Sequence, residues 1–163
     1  MRILGIDPGY ALVGFGVLDY DNGYEVIDYG VISTPKEDNL PNRLMTIATC
    51  LKQIIDSYKP DVVAVEELFY FKNQKTVIPV AEARGVIIMT CMQCGLKLFE
   101  YTPLQIKQAL TGNGRAEKTQ IQFMTKTILG LEKVPKPDDA ADALAVAICH
   151  SQINPNLNIN CMM

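Results

Sequence analysis

Four carboxylates in this 163-residue sequence are placed where they could bind divalent cations together. Asp7 directly follows the first short apolar run, and Glu66 ends another one. Asp139 and Asp142 lie three residues apart at the start of a helical pattern, so their side chains share one face. Carboxylate oxygens are hard ligands that suit Mg²⁺ or Mn²⁺ better than zinc. Because neighbouring carboxylates repel each other, such a cluster needs protons or cations between its members.

A pair of divalent ions in such a cluster would favour phosphodiester hydrolysis. Two ions about 4 Å apart can activate a water molecule and stabilise the leaving oxygen. Each position also has an ordinary explanation, since residues 7–9 (DPG) are a common turn, Glu66 could be a solvated strand end, and acidic residues stabilise helix N-termini. The spacing leaves open whether Asp138 or Asp139 acts with Asp142. Only the joint placement at strand ends and a helix start points to a metal site.

The elements that must position these carboxylates follow from hydrophobic periodicity. Strands are predicted at Arg2–Ile6, Val13–Tyr20, Tyr24–Ile32, Asp61–Glu66 and Lys97–Tyr101. Helices are predicted at Pro41–Ser57, Val77–Cys94, Pro103–Thr111, Glu117–Leu129 and Asp138–Gln152. This order predicts an α/β fold, with a mixed five-stranded sheet of an antiparallel meander followed by parallel strands, flanked by helices. If the first and fourth strands are parallel neighbours, Asp7 and Glu66 lie side by side, and the last helix can lay its N-terminus across that edge.

Length and composition indicate one globular domain. Apolar residues make up 48% of the chain and charged residues 20%. We expect a single nuclease domain over residues 1–153 and a polar, flexible tail over residues 154–163. No apolar run is long enough to span a bilayer, so no membrane partner is expected and the protein is predicted to be soluble and intracellular.

Cysteine and histidine usage excludes several kinds of site. Cys91 and Cys94 have CxxC spacing, but they lie within a predicted helix and no second CxxC could complete a four-cysteine zinc site. The five cysteines are therefore expected to pack in the core. His150 is the only histidine, which excludes a site built on several histidines.

Charge is unevenly distributed along the chain. Residues 1–67 carry a net charge of −6, residues 68–137 carry +6, and residues 138–163 carry −3. Carboxylates gathered for metal binding and a separate basic surface for nucleic acid would produce this pattern. Chance clustering on a solvated face would produce it as well.

Five sequence blocks resemble the RuvC Holliday-junction resolvase family. They span roughly residues 2–150 in the family's order, and together they are very specific. The blocks are GIDPG with Gly14-Phe15-Gly16, Ala64–Asn73 (AVEELFYFKN), Ala83-Arg84-Gly85, Ile106–Lys118 (IKQALTGNGRAEK) and Asp139–His150 (DAADALAVAICH).

The resemblance implies an RNase H-like fold and a homodimer that cuts four-way DNA junctions during recombination and repair. Its activity would depend on Mg²⁺, with Mn²⁺ also supporting it and two ions in each active site. The catalytic, metal-binding carboxylates would be Asp7, Glu66, Asp139 and Asp142, and the family's DAAD pattern leaves Asp138 as the N-cap of the last helix. A bacterial cytoplasmic location and branch-migration partners of the RuvA and RuvB type are implied as well.

Basic and aromatic residues of the middle segment are the expected DNA contacts. The resemblance places Lys107 and Lys118 near the scissile phosphate and Phe69 on a loop that enters the junction. An aromatic side chain can stack on an unpaired base there, although Phe69 and its neighbours could also form a small satellite core. Further candidates for backbone contact are Lys72, Lys75, Arg84 and Arg115, each of which could be only a surface charge. The tail NPNLNINCMM lacks the basic residues that many relatives carry there.

Three other functions remain open at this point. The chain could be an RNase H-fold nuclease acting on RNA–DNA hybrids, or a junction-binding module without catalytic activity. An ATPase of the actin and sugar-kinase type also opens with an Asp-x-Gly turn, but this chain is short for that two-lobed fold. The helix Val77–Cys94 is our candidate for part of a dimer interface because of its small and aliphatic face.

Overall fold

A mixed sheet forms the centre of the computed structural model, which describes residues 1–68, 77–153 and 161–162. The strands of the described residues are β1 Arg2–Asp7, β2 Leu12–Tyr20, β3 Tyr24–Ser33, β4 Val62–Glu66, β5 Lys97–Tyr101 and β6 Cys161–Met162. They lie in the order β3-β2-β1-β4-β5-β6 across the sheet. β1, β2 and β3 form an antiparallel meander, β4 and β5 continue from β1 as parallel strands, and β6 pairs antiparallel with β5.

Helices cover both faces of this sheet. Alternation along β1 sends Leu4 and Ile6 to one face and Ile3 to the other. The helices of the described residues are α1 Leu40–Tyr58, α2 Val77–Gln93, α3 Pro103–Thr111, α4 Lys118–Ile128 and α5 Asp138–Gln152. The face of the sheet that carries Leu4 and Ile6 packs on α1 and α2, and the face that carries Ile3 packs on α3, α4 and α5.

Helix α5 lies unusually close to the sheet because glycines face it. A Cβ atom on Gly5 would lie 2.1 Å from the carbonyl oxygen of Ala143, and one on Gly14 would lie 2.0 Å from that of Asp139. Residues 143–150 of α5 are all buried. The same helix is therefore the centre of one half of the core and the carrier of two of the predicted carboxylates.

The predicted mixed sheet of a meander followed by parallel strands is confirmed. The predicted element ends lie within about one residue of those observed. The sheet also gains β6, a two-residue strand that lies in the predicted tail and was not expected. One helix cap was predicted wrongly: Pro137 is the N-cap of α5, and Asp138 is its first helical residue.

Core packing is observed for the cysteines to different degrees. Cys91 and Cys149 are buried, and Cys50 and Cys94 are half-buried against the core, while the side chain of Cys161 lies outside the described part of the structure. Cys50, Cys91, Cys94 and Cys149 are free thiols, and burial raises the pKa of both Cys91 and Cys149 to about 12. Within the ranges that the structure covers, none of the helices has the length and apolarity to cross a membrane.

The single histidine is buried beneath β5. His150 is 9% exposed, its Nδ1 lies 2.7 Å from the hydroxyl oxygen of Tyr101, and the ring of Phe99 packs against it at 4.6 Å between centroids. Burial lowers the pKa of His150 to about 4. Since this pKa is depressed below its ordinary value near 6.5, the folded state keeps the imidazole neutral where the unfolded chain takes up a proton.

We therefore expect His150 to weaken the fold in mild acid. Its contribution to stability is complete above about pH 6.5 and is lost as the pH falls towards 4, by about 3 kcal/mol over that range. The free energy of unfolding in urea, measured between pH 7 and 4, checks this against His150→Gln, which cannot titrate there. An equal decline in both proteins would contradict the prediction, as would an imidazole NMR titration near pH 6.5.

Candidate active site

Parallel pairing of β1 and β4 brings Asp7 and Glu66 together. Ile6 lies opposite Val65 in the ladder, so continuing the register by one residue places Asp7 beside Glu66. Because successive side chains alternate, both carboxylates point to the face that packs on α5. This is the juxtaposition predicted from two apolar runs that each end in an acidic residue.

Helix α5 brings Asp139 and Asp142 to the same edge. Gly14 is the cross-strand partner of Asp7, and the main chain of Asp139 lies directly on Gly14. Asp142 follows within one turn and borders the same cleft as Asp7 and Glu66. The four predicted carboxylates therefore come from two strand ends and one helix start.

The carboxylates of this cluster repel one another, and their repulsion contributes to a raised pKa of Asp7. It is raised well above its ordinary value, first by burial and then by the negative charges of Glu66, Asp142 and Asp139. The pKa of Asp142 is also raised, and burial again is the main cause. Asp7 is thus the member of the cluster on which the other three charges act, and its ionised form is costly without a compensating cation.

Lys118 supplies the nearest positive charge. Its Nζ lies 2.9 Å from Oδ2 of Asp142 and 3.8 Å from Oδ2 of Asp138. Burial alone would lower the pKa of Lys118, but the hydrogen bond to Asp142 and the surrounding carboxylates outweigh it and raise the pKa. Lys118 is the first residue of α4, where the main-chain N–H of Glu117 donates to Oε1 of Gln120 and secures the helix start.

Asp138 occupies a different environment from the other acidic residues of α5. It accepts a hydrogen bond of 2.6 Å from Nζ of Lys136, and this contact is the main reason why its pKa is lowered. The negative charges that act most strongly on Asp7 are those of Glu66, Asp142 and Asp139 rather than that of Asp138. Spacing alone left open whether Asp138 or Asp139 would bind metal together with Asp142. The structure places the main chain of Asp139 on Gly14, the cross-strand partner of Asp7.

A cleft of about 720 Å³ opens over the carboxylates. Asp7, Glu66 and Asp142 line it together with Lys107 and Lys118, and Leu104 lies at its edge with 62% of its surface exposed. Lys107 lies on helix α3, whose start is fixed because the main-chain N–H of Gln105 donates to Oγ1 of Thr102 and the Thr102 N–H donates to the Gln105 side chain.

Glu67 also borders this cleft, although regular strand alternation would turn its side chain to the face opposite that of Glu66. The strand ends at Glu66, so alternation no longer applies to the next residue. The main-chain N–H of Glu67 still donates to the carbonyl oxygen of Tyr101 at 2.9 Å.

Within the described residues, the other two predicted DNA contacts, Arg84 and Arg115, do not line this cleft. Arg84 on α2 forms an ion pair with Glu100 on β5, in which the two side chains are only 19% and 18% exposed. Arg115 is exposed on the loop before α4. Phe69, Lys72 and Lys75 lie outside the described residues.

The donors of the cluster match the chemistry of a hard divalent cation. All are carboxylate oxygens, and the one histidine is buried against Tyr101. Across residues 1–68 and 77–153, no three His, Cys, Asp or Glu side chains are grouped closely enough, as they stand, to hold an ion. The contact partner that the structure gives Asp142 is instead the ammonium group of Lys118.

Sequence reasoning missed the role of Gly14 and the contacts of Asp138. A glycine that repeats at alternate strand positions, as Gly14 and Gly16 do, can signal a close helix approach. No comparable pattern in the sequence indicates the hydrogen bond that Lys136 donates to Asp138.

Comparison with known proteins gives a consistent result. The family model "Crossover junction endodeoxyribonuclease RuvC" matches residues 3–150. A relative of that name from Caldicellulosiruptor saccharolyticus is 59% identical over 152 residues, which cover 92% of each chain. The Thermus thermophilus RuvC structure is 32% identical, with a TM-score of 0.86 and 93% of each chain covered. The structure of "T. thermophilus RuvC in complex with Holliday junction substrate" is 27% identical, with a TM-score of 0.89 and 99% of this chain and 100% of that chain covered.

The family match spans most of the chain, and the relative's identity is well above what chance similarity allows. The resemblance drawn from the five sequence blocks is therefore confirmed. This chain belongs to the RuvC family of crossover junction endodeoxyribonucleases.

Proposed function

We propose that this protein is a structure-selective endonuclease that resolves four-way (Holliday) DNA junctions by hydrolysing phosphodiesters in two opposing strands. The observation that carries the proposal is the cluster of carboxylates around the half-buried Asp7, in a cleft that two lysines also line. Relatives named as crossover junction endodeoxyribonucleases and the junction complex of the Thermus protein support it.

Asp7, Glu66, Asp139 and Asp142 would hold divalent cations, Mg²⁺ or Mn²⁺, with two ions in each site. Such ions activate a water molecule and stabilise the leaving oxygen of the phosphodiester. The protein contributes fixed oxygen donors, with Asp7 and Glu66 on strand ends and Asp139 on a helix seated against the sheet. Lys107 and Lys118 would neutralise the scissile phosphate and its neighbour along the same cleft.

Further contacts to the DNA backbone would come from Arg84, Arg115, Lys72 and Lys75, and Phe69 would stack on a base at the junction centre. Arg115 is exposed and available for such a contact. Arg84 is not equally available, because a phosphate would have to compete with Glu100 for its guanidinium group.

Reversing the charges of the Arg84–Glu100 pair separates a structural role from a DNA contact. We expect Arg84→Glu alone to lower the free energy of unfolding by a few kcal/mol, because it leaves two like charges mostly buried. The double variant R84E/E100R should recover most of that loss. Urea unfolding measures the recovery, and no recovery would contradict the pairing.

Junction binding by the same double variant then decides the proposed DNA contact. Weaker binding by a protein of restored stability would keep Arg84 among the DNA contacts. Unchanged binding would remove it from them.

A homodimer would place two such sites on one junction. Exposed apolar side chains on α2, namely Ile78, Met89 and Met92, support α2 as part of the interface between copies. We further propose that residues 1–153 form the single nuclease domain, that branch-migration proteins of the RuvA and RuvB type act with it, and that it works in the bacterial cytoplasm.

Cleavage of a synthetic four-way junction tests the proposal. With Mg²⁺ present, we expect paired nicks at symmetric positions in two opposing strands, and much slower cutting of plain duplex or RNA–DNA hybrid. Preferred cutting of the hybrid would favour the other RNase H-fold activity, and tight junction binding without nicks would favour a binding module. Hydrolysis of ATP by the purified protein would reopen the ATPase alternative.

A further inference from the structure

Lys118 has two carboxylate neighbours, and they are not equivalent. Asp142 is 2.9 Å from its Nζ and belongs to the proposed metal-binding cluster. Asp138 is 3.8 Å from the same Nζ and lies outside that cluster. The other carboxylate oxygen of Asp138, Oδ1, accepts a hydrogen bond from Lys136, so its Oδ2 is the atom turned towards Lys118.

We infer that Lys118 is an internal counter-ion that competes with a divalent cation for Asp142, and that Asp138 retains Lys118 beside the site when the cation displaces it. This inference rests on the proposed function, because it takes the carboxylate cluster as the metal site. It adds a role for Lys118 before any DNA is bound, and it makes Asp138 a positioning residue.

Electrostatic repulsion is the reason for the competition. Two positive charges about 4 Å apart repel each other strongly at the reduced effective dielectric constant of a partly buried site, and a divalent ion doubles this repulsion. A cation bound to Asp142 would therefore repel an ammonium group that stays 2.9 Å from the same carboxylate. In the absence of the cation, that ammonium group offsets part of the repulsion among the clustered carboxylates.

A small movement of the Lys118 ammonium group would exchange its contact with Asp142 for one with Asp138. A shift of about 1 Å would shorten the 3.8 Å contact between Nζ and Oδ2 to hydrogen-bond length. Lys136 fixes the position of Asp138 from the other side, at 2.6 Å. Lys118 would then remain at the cleft, where it can meet a phosphate, without contacting a metal ligand.

Lys107 provides a matched comparison. It lines the same cleft, but within residues 1–68 and 77–153 no ion pair to a carboxylate is found for it. Replacing Lys107 with a neutral residue removes one positive charge from the cleft but leaves the contact between Lys118 and Asp142 in place. Replacing Lys118 removes one positive charge and also removes the group that competes with the cation for Asp142.

Calorimetric titration of Mn²⁺ into the DNA-free protein tests the inference. We expect Lys118→Met to bind Mn²⁺ roughly tenfold more tightly than the wild type, and Lys107→Met to change the affinity by less than about threefold. An equal gain in both variants would overturn the inference, because the effect would then be one of general charge. Unchanged affinity in Lys118→Met would overturn it too.

Asp138→Asn tests the retaining role in a double-mutant cycle. Removing the negative charge of Asp138 weakens Mn²⁺ binding in any background. Removing the carboxylate that would bind the displaced Lys118 ammonium group weakens Mn²⁺ binding further only where Lys118 is present. We therefore expect a larger loss of affinity in the wild-type background than in the Lys118→Met background. Equal losses would overturn the role of Asp138.

The wild-type protein gives a second measurement that needs no variant to fold. In ¹⁵N NMR of the lysine ammonium groups, we expect Mg²⁺ to shift the Lys118 signal and leave that of Lys107 nearly unchanged. A Lys118 signal that does not respond to saturating Mg²⁺ would overturn the inference. If neither the wild type nor Lys118→Met binds Mn²⁺ at all, the proposed metal site itself is overturned, which distinguishes the two failures.

Discussion

Asp7→Asn is expected to slow junction cleavage by about 10³-fold or more while junction binding stays within about threefold. A loss of that size corresponds to about 4 kcal/mol of transition-state stabilisation. Asp7 is the carboxylate on which the charges of Glu66, Asp142 and Asp139 act, so its loss removes the central member of the proposed metal site. Single-turnover cleavage measures the rate, and gel-shift assays in Ca²⁺ measure binding.

The same substitution should stabilise the metal-free fold. Because the pKa of Asp7 is raised in the folded state, its stabilising contribution is present at low pH and is lost as the pH rises through that pKa. At neutral pH the unfolded chain ionises this carboxyl group freely, whereas the folded protein must either ionise it among the other carboxylates or keep its proton. Both states cost free energy, and raising a pKa by one corresponds to about 1.4 kcal/mol. Asn removes this cost, so the free energy of unfolding should rise, with the difference narrowing in acid.

Glu67→Gln is the matched control for Asp7→Asn. Glu67 borders the same cleft, but the negative charges that act most strongly on Asp7 are those of Glu66, Asp142 and Asp139. We expect its cleavage rate to stay within about threefold of the wild type. Persistent cutting by a clean preparation of Asp7→Asn would show that the metal assignment is wrong.

Gly14→Ala is expected to damage both the fold and the site. The added Cβ would lie 2.0 Å from the carbonyl oxygen of Asp139 and 3.2 Å from its Cβ. These are atoms of the helix backbone and its first side-chain carbon, so no side-chain rotation relieves the clash and α5 must move. Overpacking of this kind costs about 1–3 kcal/mol or more. Displacement of Asp139 by about 1 Å could cost a further 10²-fold in cleavage rate.

Gly23→Ala shows what an added methyl group does where there is room. Apart from Gly23 itself and its two chain neighbours, no atom of the residues that the structure describes lies within 4 Å of the corresponding Cβ position. Urea unfolding and single-turnover cleavage should show little change for Gly23→Ala and large losses for Gly14→Ala. A Gly14→Ala protein as stable and active as the wild type would mean that α5 does not sit against the sheet as described.

Much of this architecture could be predicted because its signals are local. Short apolar runs marked β1 and β2. Between β2 and β3 lies Asp21-Asn22-Gly23, a sequence typical of hairpin turns, and Asn22 adopts the positive φ of 55° that such turns need. Two apolar runs that each end in a carboxylate predicted the pairing of Asp7 with Glu66. Helical spacing then placed Asp139 and Asp142 on one face.

What escaped prediction depends on contacts between distant segments. The pairing of Arg84 with Glu100 joins α2 to β5, and nothing in either segment indicates it. Lys118 meets Asp142 across 24 positions of sequence, so its state before DNA binding could not be inferred from the motif that contains it. The two-residue strand β6 is too short to leave a periodic signal.

The burial of α5 has a consequence for protein synthesis. Asp7 and Glu66 leave the ribosome long before Asp139 and Asp142, which arrive on the helix that also fills one half of the core. A nascent or prematurely terminated chain that stops before Asp138 therefore lacks two of the four carboxylates and the helix that covers one face of its sheet. Such incomplete copies should be unable to nick chromosomal DNA, because the proposed metal-binding residues Asp139 and Asp142 are synthesised together with the helix that completes the core.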